Sequence, residues 1–294
     1  MNHTSRKNIL IIYNPAAGAG SIKKLDAVIE IIRSKGINVT KSKTRYAGHA
    51  QEIAAQSKNK NYDLVVAAGG DGTMNEVVNG IYPGKMPVAI IPLGTVNVLA
   101  LEIGLKKTVR SIADYIAYGC AKPCWLGRSN DRYFLLMMSA GYDAKAVAYV
   151  NKSLKIVIGK LAYMFSFIKT LIGTSPSVYD VDIEAKKYKC FNVIVSNSRL
   201  YGGNFISAPE AGLDKNYLVI SMTQKGGRIN ALKYALCMFM GRYPKLKSVQ
   251  NIKAIKCYIR CPNAPEPIQL DGDATGELPT QISVSDEYIM LLRP

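Results

Sequence analysis

Residues 62–81 read YDLVVAAGGDGTMNEVVNGI, and they carry the clearest secondary-structure signal in the first part of the chain. The apolar run Tyr62–Ala68 predicts a buried strand, and Thr73–Ile81 has the periodicity of a helix. Between them, the glycine-rich turn at 69–73 lets backbone N–H groups approach a bound anion closely. The stretch therefore predicts a strand, a turn and a helix of an α/β domain.

The same alternation of strand and helix signals continues on both sides of this stretch. It predicts an α/β domain over residues 1–122, with a parallel sheet and helices on both faces. The expected strands are Asn8–Tyr13, Ile37–Thr44, Tyr62–Ala68 and Pro87–Pro92. The expected helices run from a cap at Ser21 to a stop at Gly36, over His49–Ser57, over Thr73–Ile81, and in two segments that end near Gly119.

The pattern changes after Trp125, where short strand-like runs follow one another. It predicts a C-terminal β-rich, sandwich-like domain over residues 123–294, whose last strand is free to pack back on the first domain. Helical segments are expected near 150–173 and 228–241. The expected strands are Arg132–Ser139, Tyr179–Ala185, Phe191–Ser196, Tyr217–Thr223, Ile252–Arg260, Glu266–Leu270, Gln281–Ser285 and Tyr288–Leu292.

Two further small-residue or polar turns follow strands of the first domain, NPAAGAG at 14–20 and PLGTVN at 92–97. One such turn alone is equally a tight strand–helix connection. Turns after parallel strands gather at the carboxyl edge of the sheet, where α/β sheets bind ligands, so three of them favour a nucleotide. No turn is a P-loop, since GxxxxGK[ST] is absent. Asp71 adds a carboxylate suited to Mg²⁺ near phosphates.

The charge is strongly positive, with 38 Lys and Arg against 21 Asp and Glu, a net +17. Two windows hold no acid, one between Asp143 and Asp180 and one between Asp214 and Glu266. Such an excess suits phosphates, nucleic acid or an anionic membrane surface, and ordinary solvated faces are an equally good explanation. Because no helix-turn-helix, zinc-finger or RNA-binding signature is present, nucleic acid is the weakest of these readings.

Both windows contain long apolar runs, Leu154–Ile172 and Ala231–Tyr243. Lysines interrupt the first, and a lysine near a bilayer centre costs about 2.5–3.5 kcal/mol, which disfavours a spanning helix. A buried core helix and a helix in the membrane interface fit equally well. The N-terminus predicts a first strand and no signal peptide. Six dispersed cysteines and two histidines do not form a zinc motif, and they favour core thiols in a reducing cytosol.

The chain resembles the diacylglycerol kinase catalytic family, in its soluble bacterial lipid kinase branch. The resemblance rests on six motifs that follow in order: NPAAGAG at 14–20, GGDGTMNEVVNG at 69–80, PLGTVNVLA at 92–100, GYDA at 141–144, NSRLYGGNFISAPEAGLD at 197–214 and LDGDATGELP at 270–279. GGDGT alone is shared with NAD kinases. The resemblance implies a nucleotide-binding N-terminal domain, a β-sandwich C-terminal domain and an active site in the cleft between them.

The family's site residues transfer to matching positions here. The resemblance implies ATP and Mg²⁺ as cofactors, with Mg²⁺ held by Asp71 through phosphates or water. Asp273 matches the acid that accepts the proton of the lipid hydroxyl. Without the resemblance, a solvent turn between strands is the better explanation of residues 271–273. The implied ATP-binding residues are Asn14, Pro15, Gly18, Thr44, Gly70, Asp71, Gly72, Thr73, Asn75, Glu76 and Thr95.

Three positions depart from the family pattern. Val98 stands where the family often has Asp, so a carboxylate that supports the metal–water network is missing. Asp273 replaces a Glu and is one methylene shorter. Lys215 stands where an Asp commonly helps to bind a structural divalent ion, and we expect its ammonium group to replace part of that ion's charge.

The leading hypothesis is an ATP- and Mg²⁺-dependent kinase of a lipid hydroxyl. It is expected to be cytoplasmic and to associate peripherally with an anionic membrane surface, with no nucleic-acid partner and with a homodimer left open. A kinase of a soluble substrate such as NAD is one alternative. A catalytically weak relative that binds lipid or nucleotide is another, because of Val98 and Lys215.

Overall fold

The computed structural model describes residues 6–17, 19–149, 173, 176–263 and 265–294. In it the chain folds into two compact units. The first unit contains Met1–Trp125 and Asp286–Pro294, and the second contains Leu126–Ser285. The C-terminal segment therefore returns to the unit that the N-terminal half forms.

The described part of the first unit is built on one six-stranded sheet. Its strands are β1 (Asn8–Tyr13), β2 (Asn38–Lys43), β3 (Leu64–Gly69), β4 (Val88–Pro92), β5 (Cys120–Cys124) and the last strand of the chain, β20 (Ile289–Arg293). They lie in the order β2-β1-β3-β4-β20-β5. All neighbours are parallel except β20 and β5. The predicted α/β domain with a parallel sheet is confirmed.

Helices cover both faces of the central strands, since every residue of β3 and β4 is buried. The helices are α1 (Ala19–Ser34), α2 (His49–Ser57), α3 (Asp71–Ile81), α4 (Val98–Glu102) and α5 (Val109–Tyr118). These helices pack in two pairs, α1 with α5 and α2 with α3. The apolar runs of the sequence thus became buried strands because they are covered on both sides.

The predicted cap of the first helix is wrong. The helix begins at Ala19, so Ser21 lies inside its first turn. The Ser21 hydroxyl donates to the Leu93 carbonyl, 3.3 Å away, at the end of the β4 strand. A tertiary hydrogen bond has replaced the local capping bond that the sequence suggested. Similarly, α3 begins at Asp71, two residues before the expected Thr73.

The second unit is β-rich and antiparallel, as predicted. One sheet has the described strands β6 (Gly127–Ser129), β7 (Arg132–Phe134), β9 (Tyr179–Ile183), β10 (Lys186–Cys190), β16 (Lys256–Arg260) and β19 (Thr280–Val284). The other has β8 (Met137–Ala140), β11 (Asn192–Ser196), β14 (Leu218–Thr223), β15 (Val249–Ala254), β17 (Pro267–Leu270) and β18 (Asp273–Glu277). Their orders are β10-β9-β16-β19-β6-β7 and β15-β14-β11-β8-β17-β18.

A short hairpin and two helices complete the described part of this unit. The hairpin joins β12 (Leu200–Tyr201) to β13 (Phe205–Ile206), and the helices are α6 (Tyr142–Tyr149) and α7 (Arg228–Phe239). The α7 helix was predicted and α6 was not. The expected helical segment near 150–173, with the run Leu154–Ile172, lies outside the described residues apart from residue 173.

Two of the expected strands are wrong as single elements. Arg132–Ser139 is broken between β7 and β8, because the backbone at Leu135 and Leu136 donates to the carboxylate of Asp271 instead of to a neighbouring strand. Ile252–Arg260 is broken at Ile255, between β15 and β16, which belong to different sheets. An apolar run cannot reveal such a change of sheet.

The cysteines are all free thiols. Four are buried, whereas Cys120 is exposed and Cys261 is partly exposed, so the expectation of core thiols holds for four of the six. Burial raises the pKa of Cys190 and of Cys257 to about 12. Within the described residues, none of the helices combines the length and apolar character needed to cross a bilayer.

We expect Leu291→Ala to destabilise the first unit by about 2–5 kcal/mol, because Leu291 of β20 is completely buried and the change leaves a cavity. The neighbouring Met290 is only partly buried, so Met290→Ala is a matched control, and we expect it to reduce the free energy of unfolding by less. Urea unfolding followed by the fluorescence of Trp125 measures both, since this is the only tryptophan and its ring packs edge-on against Tyr288. Equal losses for the two variants would contradict the burial argument.

Candidate active site

The turn after β1 is fixed to the end of β3. The backbone N–H of Asn14 donates to the carbonyl of Ala68 at 3.0 Å. The Asn14 side chain accepts the N–H of Ala16 at 2.9 Å, which shapes the short 3-10 segment Pro15–Ala17. Two of the predicted nucleotide-binding residues, Asn14 and Pro15, therefore lie at the carboxyl edge of the sheet. The third, Gly18, lies outside the described residues.

The turn after β3 requires small residues. A Cβ on Gly69 would lie 2.4 Å from the Thr73 hydroxyl, so a side chain has no room there. Gly70 is extended and precedes α3, whose start has no side-chain cap among the described residues. Gly72 and Thr73 lie in the first turn of that helix. The backbone N–H groups at this end point away from the helix and suit an anion.

The turn after β4 packs directly on the turn after β3. The N–H groups of Leu93 and Gly94 both donate to the Gly69 carbonyl, at 2.9 and 3.3 Å. A Cβ on Gly94 would lie only 2.8 Å from the Cα of Gly70. Asn97 closes this turn, because its side chain accepts from the Gly94 N–H and donates to the Gly94 carbonyl. The structure thus brings all three turns together.

Asp71 holds the start of α4. Its two carboxylate oxygens accept the N–H groups of Val98 and Leu99, at 2.8 and 3.1 Å. The side chain of Val98 is buried, so this position contributes its backbone to the site and no polar group. Asp71 is therefore a link between two turns as well as a candidate for the metal site.

Glu76 and Thr44 also act on the backbone. The Glu76 carboxylate accepts the N–H groups of Gly48 and Ala50, at 2.9 and 3.1 Å, and so caps the α2 helix. Thr44 is buried, and its N–H donates to the Tyr13 carbonyl. Asn75 accepts a hydrogen bond from the side chain of Asn79, one turn later. Thr95 is exposed on the third turn.

Two lysines that the motifs did not indicate lie beside the third turn. The ammonium of Lys24 is 3.4 Å from the Pro92 carbonyl, and that of Lys107 is 3.2 Å from the Val96 carbonyl. Burial lowers the pKa of Lys24, and the charge of Lys107 lowers it further. An anion at this turn would relieve both effects. The spacing in sequence gave no signal, because α1 carries one lysine and the loop before α5 the other.

In the second unit, Asp271 and Asp273 have different environments. Asp271 has a left-handed backbone, and its carboxylate accepts the N–H groups of Leu135, Leu136 and Met137 at 2.7 to 3.0 Å. Gly272 follows with φ +90°. Asp273 begins β18 and is exposed. The turn does join two strands, Asp271 holds it through three backbone hydrogen bonds, and Asp273 is exposed at its end.

A buried acid near this turn was missed as a candidate. Both Ser139 and Tyr201 donate their hydroxyls to the Asp143 carboxylate, whose other oxygen is buried without a partner among the described residues. Gln269 donates to Ser139 at 2.8 Å and so connects this acid to β17. Burial raises the pKa of Asp143, although the two hydroxyls oppose the rise. The GYDA motif was the only sequence signal for it.

Lys215 lies in an ion pair with its neighbour. Its ammonium is 3.1 Å from the Asp214 carboxylate, and both side chains are largely exposed. The described residues contain no group of three or more His, Cys, Asp or Glu side chains arranged to hold a metal ion. A divalent ion in the first unit would therefore need ligands from phosphate and water in addition to Asp71.

Comparison with known proteins covers nearly the whole chain. Residues 8–129 match the family model for the diacylglycerol kinase catalytic domain. Residues 137–293 match the model for the YegS C-terminal NAD kinase beta sandwich-like domain.

Individual relatives cover the same range. The chain is 28% identical to a diacylglycerol kinase of Bacillus subtilis (strain 168), over 98% of this chain and 97% of that protein. It is 29% identical to a diacylglycerol kinase of Staphylococcus saprophyticus, over 98% and 96%. A solved diacylglycerol kinase structure from Bacillus anthracis strain Sterne shares the fold, with a TM-score of 0.74, 20% identity and coverage of 99% and 98%.

We expect the carboxyl group of Asp143 to titrate above the ordinary Asp value of about 3.9. Between that value and the raised pKa the folded chain binds more protons than the unfolded chain, so this group makes stability fall as pH rises. Carboxyl ¹³C NMR over pH 3–8 measures the midpoint, with Asp143→Asn to assign the signal. A midpoint at or below the ordinary value would show that the carboxylate is solvated.

Proposed function

The chain belongs to the diacylglycerol kinase family, with a catalytic domain followed by a YegS-type C-terminal domain, and we propose that it transfers the γ-phosphoryl group of ATP to a lipid hydroxyl. It is a lipid kinase, and the proposal adds the nucleotide, the metal and the place of action. The observation that carries the proposal is the junction of the three turns, where backbone donors and two lysines surround one edge of the sheet. Diacylglycerol is the first substrate to test, because relatives of similar length bear that name.

The triphosphate would bind at this junction. The uncapped start of α3 offers backbone N–H groups, and the positive end of its dipole favours an anion. Lys24 and Lys107 would neutralise charge that moves onto the leaving phosphate during transfer. Glu76 and Thr44 support this binding indirectly, since they fix the start of α2 and the end of β2.

The residues present fit Mg²⁺ only if phosphate groups of ATP supply some of its ligands. Asp71 is a hard oxygen donor, and magnesium commonly binds through one or two carboxylates, phosphates and water. When bound, the ion would neutralise phosphate charge. Asp71 also orders the turn at Val98, so this residue acts on both the ion and the backbone.

Asp273 would accept the proton of the lipid hydroxyl. The hydroxyl oxygen forms a bond to the γ-phosphorus, the bond to ADP breaks, and the proton passes to the carboxylate. Its exposed position at the start of β18 makes the residue accessible to a substrate. Asp271 positions it, because its three backbone hydrogen bonds fix the turn.

The proposed place of action is the cytosolic surface of an anionic membrane. Ten basic residues and no acid lie between Asp214 and Glu266. Each basic side chain near an anionic leaflet contributes about 1 kcal/mol to binding.

A soluble acceptor such as NAD is a second candidate substrate. It is supported by the description of the C-terminal family model as NAD kinase beta sandwich-like.

The decisive test is transfer of labelled γ-phosphate to a panel of diacylglycerol, sphingoid base, ceramide and phosphatidylglycerol in micelles, with NAD as a soluble acceptor. We expect a phosphorylated lipid and no phosphorylated NAD. Asp273→Asn should reduce kcat by about 10²–10⁴-fold with the fold retained, because the proton acceptor is lost. Binding of ATP without transfer to any acceptor would instead support a catalytically weak relative.

Gly94→Ala should abolish ATP binding, since its new Cβ would push the turns after β3 and β4 apart. Lys186→Ala is the control, because it changes an exposed residue of the second unit that belongs to none of the three turns. Isothermal titration with ATP and Mg²⁺ measures both variants, and circular dichroism checks their folds. Wild-type affinity in Gly94→Ala would place the nucleotide elsewhere.

Lys215 is proposed to replace part of the charge of a structural ion near Asp214. Metal analysis of the purified protein, after dialysis without chelator, should find no stoichiometric divalent ion in that loop. Lys215→Asp should create affinity for one. A bound ion in the wild-type protein, lost on Asp214→Asn, would refute this assignment.

A further inference from the structure

The two faces of α7 differ in burial although both are apolar. Tyr234 and Cys237 are buried in a cluster with Ile194, Tyr243 and Val249, and they attach the helix to the second unit. Five large apolar side chains on the other side are exposed by 49% to 85%. These five, called the apolar stripe, are Ile229, Leu232, Leu236, Phe239 and Met240. They recur at helical spacing, so they form one continuous face.

Basic residues border the stripe on both sides. With about 100° per residue, the stripe covers an arc of about 100°; Arg228 lies just beyond one edge and Lys233 just beyond the other. Arg242 follows closely after Met240, and all three basic side chains are exposed. An apolar arc between cations is the pattern of a helix that lies in a membrane interface.

These cations are available to a partner. In the described part of the chain, Arg228, Lys233 and Arg242 form no ion pair with a carboxylate. Other basic residues of the same acid-free segment are paired; Lys253 lies 2.7 Å from Glu210 and Arg260 lies 3.2 Å from Asp180. Three unpaired cations of the segment therefore lie beside the apolar stripe.

We infer that the apolar stripe of α7 inserts into the acyl boundary of an anionic bilayer, while Arg228, Lys233 and Arg242 bind lipid phosphate groups. A protein partner would need acidic side chains opposite the three cations and an apolar groove for the stripe. An anionic bilayer provides negative headgroups for the cations and an acyl region for the stripe over its whole surface. The inference deepens the proposed function and rests on it, because a lipid kinase must reach a substrate held in the membrane.

The α7 helix contacts the hairpin that holds the buried Asp143 of the second unit. The ring of Phe239 packs edge-on against Phe205 of the β13 strand, with ring centroids 4.7 Å apart. The same hairpin carries Tyr201, whose hydroxyl donates to Asp143. Phe239 of the stripe therefore packs on the hairpin whose Tyr201 binds Asp143.

The test measures binding of the purified full chain to vesicles of phosphatidylcholine with 30% phosphatidylglycerol, by co-sedimentation without nucleotide. Leu232→Gln/Leu236→Gln should weaken binding at least about tenfold, because two inserted side chains become polar. Ile255→Gln removes another exposed apolar residue of the same unit and should not change it. Arg228→Gln/Lys233→Gln should weaken binding and reduce its salt dependence, whereas Lys186→Gln/Lys187→Gln should do neither.

Two results would overturn the inference. One is unchanged vesicle binding in the Leu232/Leu236 variant. The other is loss of a homodimer in that variant, seen by light scattering, with vesicle binding retained; the stripe would then be a contact between copies of the chain.

The experiment also separates this inference from the proposed function. A variant that no longer binds vesicles but phosphorylates a short-chain diacylglycerol in detergent supports both. Vesicle binding that depends on the stripe, together with no phosphorylation of any lipid, supports docking and refutes the proposed transfer of the γ-phosphoryl group of ATP to a lipid hydroxyl. Phosphorylation with stripe-independent binding refutes docking alone.

Discussion

The backbone of Gly94 lies against the backbone of Gly70, and a Cβ on Gly94 would be 2.8 Å from the Gly70 Cα. This contact joins the ends of β3 and β4, and the Gly69 carbonyl reinforces it by accepting from Leu93 and Gly94. The starts of α3 and α4 then lie close enough for the Asp71 carboxylate to reach Val98 and Leu99. The candidate nucleotide site depends on this junction, because its donors are backbone groups whose positions the two glycines set.

Three carboxylates that hold turns of the two units do so by accepting backbone N–H groups. Asp71, Glu76 and Asp271 each accept two or three N–H groups from segments far away in sequence. Hydrogen bonds to an ionised group contribute about 1.5–3 kcal/mol each, so these acids can hold turns that no regular element stabilises. Asp273 differs because it is exposed, and this difference supports its assignment to chemistry.

The sequence predicted elements well where the signal was local. The α2 helix has the predicted bounds His49–Ser57, and β1, β2, β3, β4 and β20 begin and end within two residues of their expected bounds, because most apolar residues of these strands are buried. The strand β5 was not predicted, because it is mostly exposed and its residues form no apolar run. The prediction failed where a residue distant in sequence provides the hydrogen-bond partner that shapes the backbone. The break between β7 and β8 depends on Asp271, which is 136 residues from Leu135, and the Ser21 hydroxyl bonds to Leu93 instead of capping α1.

Composition and residue spacing are enough to predict the α/β and β-rich organisation, the three turns and the acid-free basic segment. The folded chain was needed to show that Asp71 and Glu76 accept backbone N–H groups, that Asp143 is buried, and that Lys24 and Lys107 lie beside the same turn. The contacts of the folded chain also set which apolar side chains of the run Ala231–Tyr243 stay exposed. The physical reason is that burial and hydrogen-bond partners are properties of contacts between distant segments, and no local pattern contains them.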